Sequence, residues 1–294
     1  MTFTENHDLQ IRLTLAKGQF GGGGNTKVIS HLGMSATIQK LGPPDFPKAS
    51  VEVYGMSLDD IQALTSLSFH PFKTSRNYIN IFAGDGEGCM SEVFAGSIVS
   101  AHGDFSGCPE HKLVLEAETG FWGRVYAQGP GVISGTQDAA SFISRQAATA
   151  GMSFSNEGVT AKLRNCIFHG SPIEQARQAA IQIGADLVID DEVMVLLPKN
   201  GHRKGTIPLL SAQSGLLGYP AVTGDGIECK SIYNPAFRFA GLFMLDTIVP
   251  KAKGEWRCVK LTHKLAANMA GDCPWESTLT GYYPQFSGAI GKMI

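Results

Sequence analysis

The chain has 294 residues, of which 43% are hydrophobic and 17% charged, enough apolar material for more than one buried core. Its 24 Lys and Arg against 26 Asp and Glu leave a net charge of -2, which argues against a protein built to hold a polyanion. Thirty-five glycines and 14 prolines punctuate it densely, a texture of many strands and tight turns that makes an all-helical architecture a poor fit.

From the N-terminus, MTFTENHDLQ lacks the cationic and apolar regions of a secretory signal, and no apolar run approaches the roughly 20 residues of a bilayer span. A soluble chain made in the cytoplasm, with no membrane segment, is the expectation. Leu9 to Ala16, Ser35 to Gln39 and Ala49 to Tyr54 each alternate apolar and polar residues and predict half-buried strands. Ser57 with Asp60 three residues on, then Ile61, Leu64 and Leu67, predicts a short capped helix. Strands resume over Tyr78 to Ala83, Ser91 to Ser100 and His111 to Glu118.

The glycine-dense stretch between Gly123 and Gly135 reads as a boundary, after which the apolar period changes from two to about 3.6. A helix over Gln137 to Ala150 is expected, capped by Ser134 or Thr136 and stopped at Gly151. The next carries a fuller signature: Ser171 as N-cap, Pro172 in the first turn, Glu174 to close a capping box, and an apolar stripe of Ile173, Ala176, Ala180 and Ile183 ending before Gly184. Val159 to Leu163 reads as a strand, and Leu187 to Leu197 as a hairpin turning at Asp190-Asp191. Beyond Thr206 strand-and-turn texture returns, with strands over Gly226 to Ser231, Leu242 to Ile248 and Trp256 to His263. The expected fold is mainly β with an inserted α/β module. Residues 1–126 form an N-terminal β domain with one helix, 127–205 the α/β module of helices and hairpin, 206–280 a second β domain of barrel size, and 281–294 a C-terminal arm.

Few residue clusters suggest chemistry. Gly21 to Gly24 lacks the Gly-Lys-Ser/Thr and following helix of a phosphate loop and reads as a hairpin tip. Cys89, His102, Cys108 and His111 are the weak metal candidates, with Cys108 and His111 spaced to grip one zinc but the other two at irregular distance. The six cysteines have no close pairs and read as buried small hydrophobes without disulfides. No nucleophile elbow is present, and Asp190, Asp191 and Glu192 read as turn formers and solvated charge. Lys251, Lys253, Arg257, Lys260, His263 and Lys264 form the strongest local charge bias; alternate strand positions cannot all join one patch, so they read as a solvated face, with contact to an acidic partner surface as the alternative. Trp122, Trp256 and Trp275 read as core or interface anchors.

The last 90 or so residues carry an ordered set of short motifs: Gly215-Leu-Leu-Gly-Tyr-Pro220, the Asn234-Pro235 turn, Gly254 to Trp256, Leu261 to His263, and Pro274-Trp275 running into Leu279 and Gly281-Tyr282. In this the chain resembles the baseplate hub family of tailed phages, those with contractile tails in particular. The resemblance implies a non-catalytic virion protein, without cofactor, whose two tube-like β-barrel domains per subunit let a homotrimer form a pseudo-sixfold ring. Such a ring would join a hexameric tail tube to a threefold central spike, contact other baseplate subunits, and line the channel for tape-measure protein and DNA. Tyr219, Trp275, Tyr282, Tyr283 and Phe286 are the interface candidates. The alternatives are a tail-associated cell-wall hydrolase using paired carboxylates or a zinc site near Cys89 to His111, and a host-receptor-binding module.

Overall fold

The computed structural model describes residues 7–20, 23–65, 77–84, 90–107, 111–224, 226–271 and 273–283. The chain is mainly β, its strands mostly antiparallel and its helices few. By contact density it divides into two compact units: residues 1–39, 47–119 and 262–277 form one, and residues 40–46, 120–261 and 278–294 the other.

The first unit contains β1 (Asp8–Thr14), β2 (Thr26–Ile29), β3 (Met34–Leu41, through Gln39), β4 (Lys48–Tyr54), α1 (Leu58–Leu64), β5 (Tyr78–Gly84), β6 (Ser91–Asp104) and β7 (Lys112–Glu118). They pair antiparallel in the order β3-β4-β7-β6-β5-β1-β2. Period-two patterning puts every second residue inward, so Leu9, Ile11 and Leu13, Met34, Ala36 and Ile38, Ala49, Val51 and Val53, and Leu113, Leu115 and Ala117 are all buried. The expected strands are there. α1 begins at Ser57, whose side chain accepts from the Asp60 backbone N–H, and Asp60 is itself buried and ion-paired with Lys27. Leu67 lies outside the described residues.

The second unit opens its long stretch with α2 (Phe121–Val125) and β8 (Gly131–Asp138), the latter paired with β10 (Lys162–Phe168). Between them lie α3 (Ala139–Ala150) and β9 (Ser153–Asn156), and α4 (Pro172–Gln182), β11 (Ala185–Asp190) and β12 (Val193–Pro198) follow. Ser134 and Thr136 turn out to be exposed strand residues of β8, because α3 is capped by Asp138, whose carboxylate accepts from the Ser141 N–H. The stop at Gly151 is as expected, with φ 75° in the left-handed region that Gly enters at low cost. α4 carries the full capping box: Glu174 N–H donates to Ser171 Oγ and Ser171 N–H to Glu174 Oε2, at 3.3 and 2.9 Å. The strand expected from Val159 starts instead at Lys162, because Asn156 accepts from the Gly158 and Val159 N–H groups and holds that stretch as a turn.

The β11–β12 hairpin is buried on both faces, which is why its sequence runs apolar without alternating. Leu187, Ile189, Met194 and Leu196 join the core of α3 and α4, with Phe142, Ile143, Ile173 and Ala176. Val188, Val195 and Leu197 on the other face pack with Phe239 and Ala240. The turn is Asp191-Glu192, both at positive φ, one residue later than Asp190-Asp191. The slip reverses the role of Asp190. It is 2% exposed, not solvated, and its carboxylate is held by Arg203 Nη1 at 2.7 Å and Lys40 Nζ at 3.0 Å, while Lys40 also reaches Asp191 at 2.5 Å.

The remaining strands of this unit are β13 (Leu209–Leu210), β14 (Leu216–Thr223), β15 (Gly226–Ile232), β16 (Leu242–Leu245), and the unit's parts of β17 (Gly254–Ala267) and β18 (Trp275–Tyr282). They run in the order β14-β15-β18-β17, with β16 beside β17 and β13 parallel to β16. Trp256 is the centre of their core, its indole N–H donating to Ala252 O at 2.8 Å. Gly281 must be glycine for β18 to pass: a Cβ there would stand 2.9 Å from Phe243 and 3.0 Å from Trp256. The basic run on β17 is not one solvated face, since His263 is buried against Ser277 Oγ at 2.8 Å and Arg257 lies 3.6 Å from Asp186.

Two outcomes follow for stability. Ser171→Ala removes one half of the capping box and should cost about 1 kcal/mol in urea unfolding. Burial by itself would lower the Lys40 pKa, but the Asp190 and Asp191 carboxylates outweigh it and hold the ammonium above its ordinary 10.5. A raised folded-state pKa contributes stability that is intact below 10.5 and lost as pH rises through the higher folded value. The urea midpoint should therefore drop above pH 10.5, and Lys40→Met should both cost about 3 kcal/mol at neutral pH and remove that alkaline drop.

Candidate interface surfaces

In a mainly β protein, surfaces able to receive another chain are edge strands and exposed apolar side chains. Among the described residues, β2 pairs only with β1 and β14 only with β15, so each has one side of its backbone unpaired by another strand. β14 is the more apolar edge. Tyr219 is 73% exposed and Val222 59%, with Leu217 also exposed. The β8–β10 ribbon adds an exposed cross-strand pair, Val132 opposite Ile167, on the face away from Ile133, Leu163 and Phe168.

Tyr219 therefore lies on an open edge. Tyr283 is also exposed, fixed by its hydroxyl donating to Lys251 O at 2.9 Å and by ring contact with Trp256 at 3.9 Å between centroids. Tyr282 is half-buried and lines a cleft of about 630 Å3 together with Arg177, Ile181, Asp186 and Arg257. Trp275 is buried and stacks flat on His7, ring centroids 4.5 Å apart. Phe286, with the rest of the arm beyond Tyr283, lies outside the described residues.

The cleft beside Tyr282 was not signalled in the sequence. Arg257 comes from β17 and Asp186 from the start of β11, and only the fold brings the two side chains together. Burial pushes the Arg257 pKa below its ordinary value, and Asp186 offsets part of that shift. Cys258 also lines the cleft, and burial pushes its thiol up to about 12, so at neutral pH it is a protonated, unreactive group. Cys229 is likewise pushed up to about 12 by burial.

Of the weak metal candidates, two lie among the described residues. His102 is an exposed residue of β6, and His111 sits 2.8 Å through Nε2 from Met56 O and stacks near Phe105. Cys89 and Cys108 lie outside the described residues. Among the described residues no three His, Cys, Asp or Glu side chains gather as a metal-binding group, and no helix is long and apolar enough to cross a membrane.

Among solved structures, the 43 kDa tail protein of prophage MuSo2 from Shewanella oneidensis is similar over 94% of this chain and 97% of its own, with a TM-score of 0.64 at 10% identity. The tail protein from Neisseria meningitidis MC58 is similar over 95% and 97%, with a TM-score of 0.63 at 9% identity. A chain of the Francisella PdpA-VgrG complex matches over 97% of this chain and 54% of its own, with a TM-score of 0.61 at 6% identity. At these identities the likeness is one of fold. No curated protein matches the chain in sequence. The family model described as Baseplate hub gp41 matches residues 9–270, and the chain belongs to that family.

Proposed function

We propose that the chain is a structural, non-catalytic subunit of the virion, three copies of which close into a ring at the baseplate. In this reading residues 1–126 and 206–280 are tube-like β domains, 127–205 the α/β module between them and 281–294 an arm onto a neighbour. Two similar domains in each of three subunits would present six similar surfaces to a tail tube and threefold symmetry to a central spike. The ring would border other baseplate subunits and line the channel for tape-measure protein and DNA, where a net charge of -2 would keep a polyanion from sticking.

The observation that carries this reading is the family match from residue 9 to residue 270. The likeness to a chain of a complex with VgrG supports a partner of the spike kind. The open edge of β14 supports assembly by strand addition, because a bare, apolar edge invites pairing with another chain.

Mass photometry of the purified chain should show a species of three chains, and class-averaged electron micrographs a threefold ring with six lobes. Tyr219→Lys with Val222→Lys, which places charge on the β14 edge, should lower the trimer association constant at least about tenfold. A chain that stays monomeric at micromolar concentration, alone and with tube protein, would contradict the reading.

A further inference from the structure

After β12 the chain runs Lys199-Asn200-Gly201-His202-Arg203-Lys204-Gly205, four basic positions without an acid, in a protein whose net charge is -2. The loop is fixed by the Arg203 backbone N–H donating to Ala240 O at 2.9 Å and by the Arg203 side chain on buried Asp190. It shares a pocket of about 250 Å3 with the Ala236 to Leu242 turn, which contributes Arg238. Arg203 is neutralised by Asp190. Lys204 and Arg238 are exposed and have no ion pair among the described residues.

The surface next to these two cations is apolar. Ile207 also lines the pocket, and two residues on Leu209 of β13 pairs with Met244 of β16; their exposures are 43, 51 and 38%. A pocket with two uncompensated cations thus runs into a strip of three exposed apolar side chains, all on one compact unit.

The geometry points to a docking surface for an acidic, amphipathic segment of a partner protein, its carboxylates on Lys204 and Arg238 and its apolar side chains on Ile207, Leu209 and Met244. Charge complementarity selects the carboxylates, and the strip supplies the area that an exposed ion pair alone would not. Nucleic acid fits less well. A phosphate backbone repeats its charge along the strand and needs a row of cations, whereas here two uncompensated ones border a single concavity, and among the described residues that line it there is no Phe, Tyr or Trp to stack on a base. The inference does not depend on ring formation, and its test reads no oligomer.

The full chain is titrated into a short fluorescein-labelled peptide of alternating Glu and Leu, into the same peptide with Gln for Glu, and into oligothymidine of equal formal charge. The Glu peptide should bind at least about tenfold more tightly than the Gln peptide, with affinity falling as salt is raised. Lys204→Glu with Arg238→Glu should abolish that preference at an unchanged melting temperature, and Leu209→Ser should weaken both peptides. Lys204→Ala alone, at an exposed side chain, should reduce the preference even if the double variant unfolds. Equal binding of the two peptides, binding indifferent to the cation variants, or tighter binding of oligothymidine would each overturn the proposal.

Discussion

The second unit is organised around a hairpin that has no solvent face. β11 and β12 are covered on one side by α3 and α4 and on the other by Phe239 and Ala240, so the carboxylate of Asp190, the last residue of β11, is taken out of water with the strand. An uncompensated buried carboxylate would cost several kcal/mol. Lys40 and Arg203 supply two positive charges to Asp190 and Asp191, a balanced set of four. This requirement fixes residues far apart in sequence: Lys40 from the end of β3, the hairpin turn, and the loop that carries Arg203. The basic loop after β12 has its shape because one of its cations is committed inward, and Lys204 is left for the outside.

Half of that arrangement could be read in the sequence. Met34, Ala36 and Ile38 occupy the inward positions of β3, and Lys40 is next in the same register, a lysine in a slot that period-two patterning reserves for the core. The pattern shows an inward ammonium in need of a carboxylate. It does not name the partner, which lies 150 residues away. Asp190 misleads because an Asp-Asp pair between two apolar runs is the ordinary mark of an exposed turn. A slip of one residue along the hairpin separates a solvated turn residue from a buried ion pair, since neighbouring strand positions face opposite ways. By contrast the α4 capping box was legible in full, because all its partners lie within four residues.

The surfaces were less legible than the core. Core residues declare themselves by periodicity, whereas Tyr219 and Tyr283 stand out only as aromatics in an irregular context, and their exposure depends on which strands happen to be edges. The cleft of Arg257 and Asp186 and the pocket of Lys204 and Arg238 are joined from segments tens of residues apart. No local spacing encodes them. If the proposed role in assembly holds, this is where sequence reading ends earliest.

β14 also shows how an open edge can be kept from indiscriminate pairing. Its register against β15 shifts between Leu217 and Ala221, the stretch that holds Gly218 at φ 71° and Pro220, which has no N–H to donate. A flat strand of the same apolar content would accept almost any extended chain. The irregularity breaks the ladder into two short pieces, so that a strand added to this edge would have to match a particular interruption as well as the exposed Leu217, Tyr219 and Val222. Affinity would thereby be given up for selectivity, as the proposed assembly by strand addition would require.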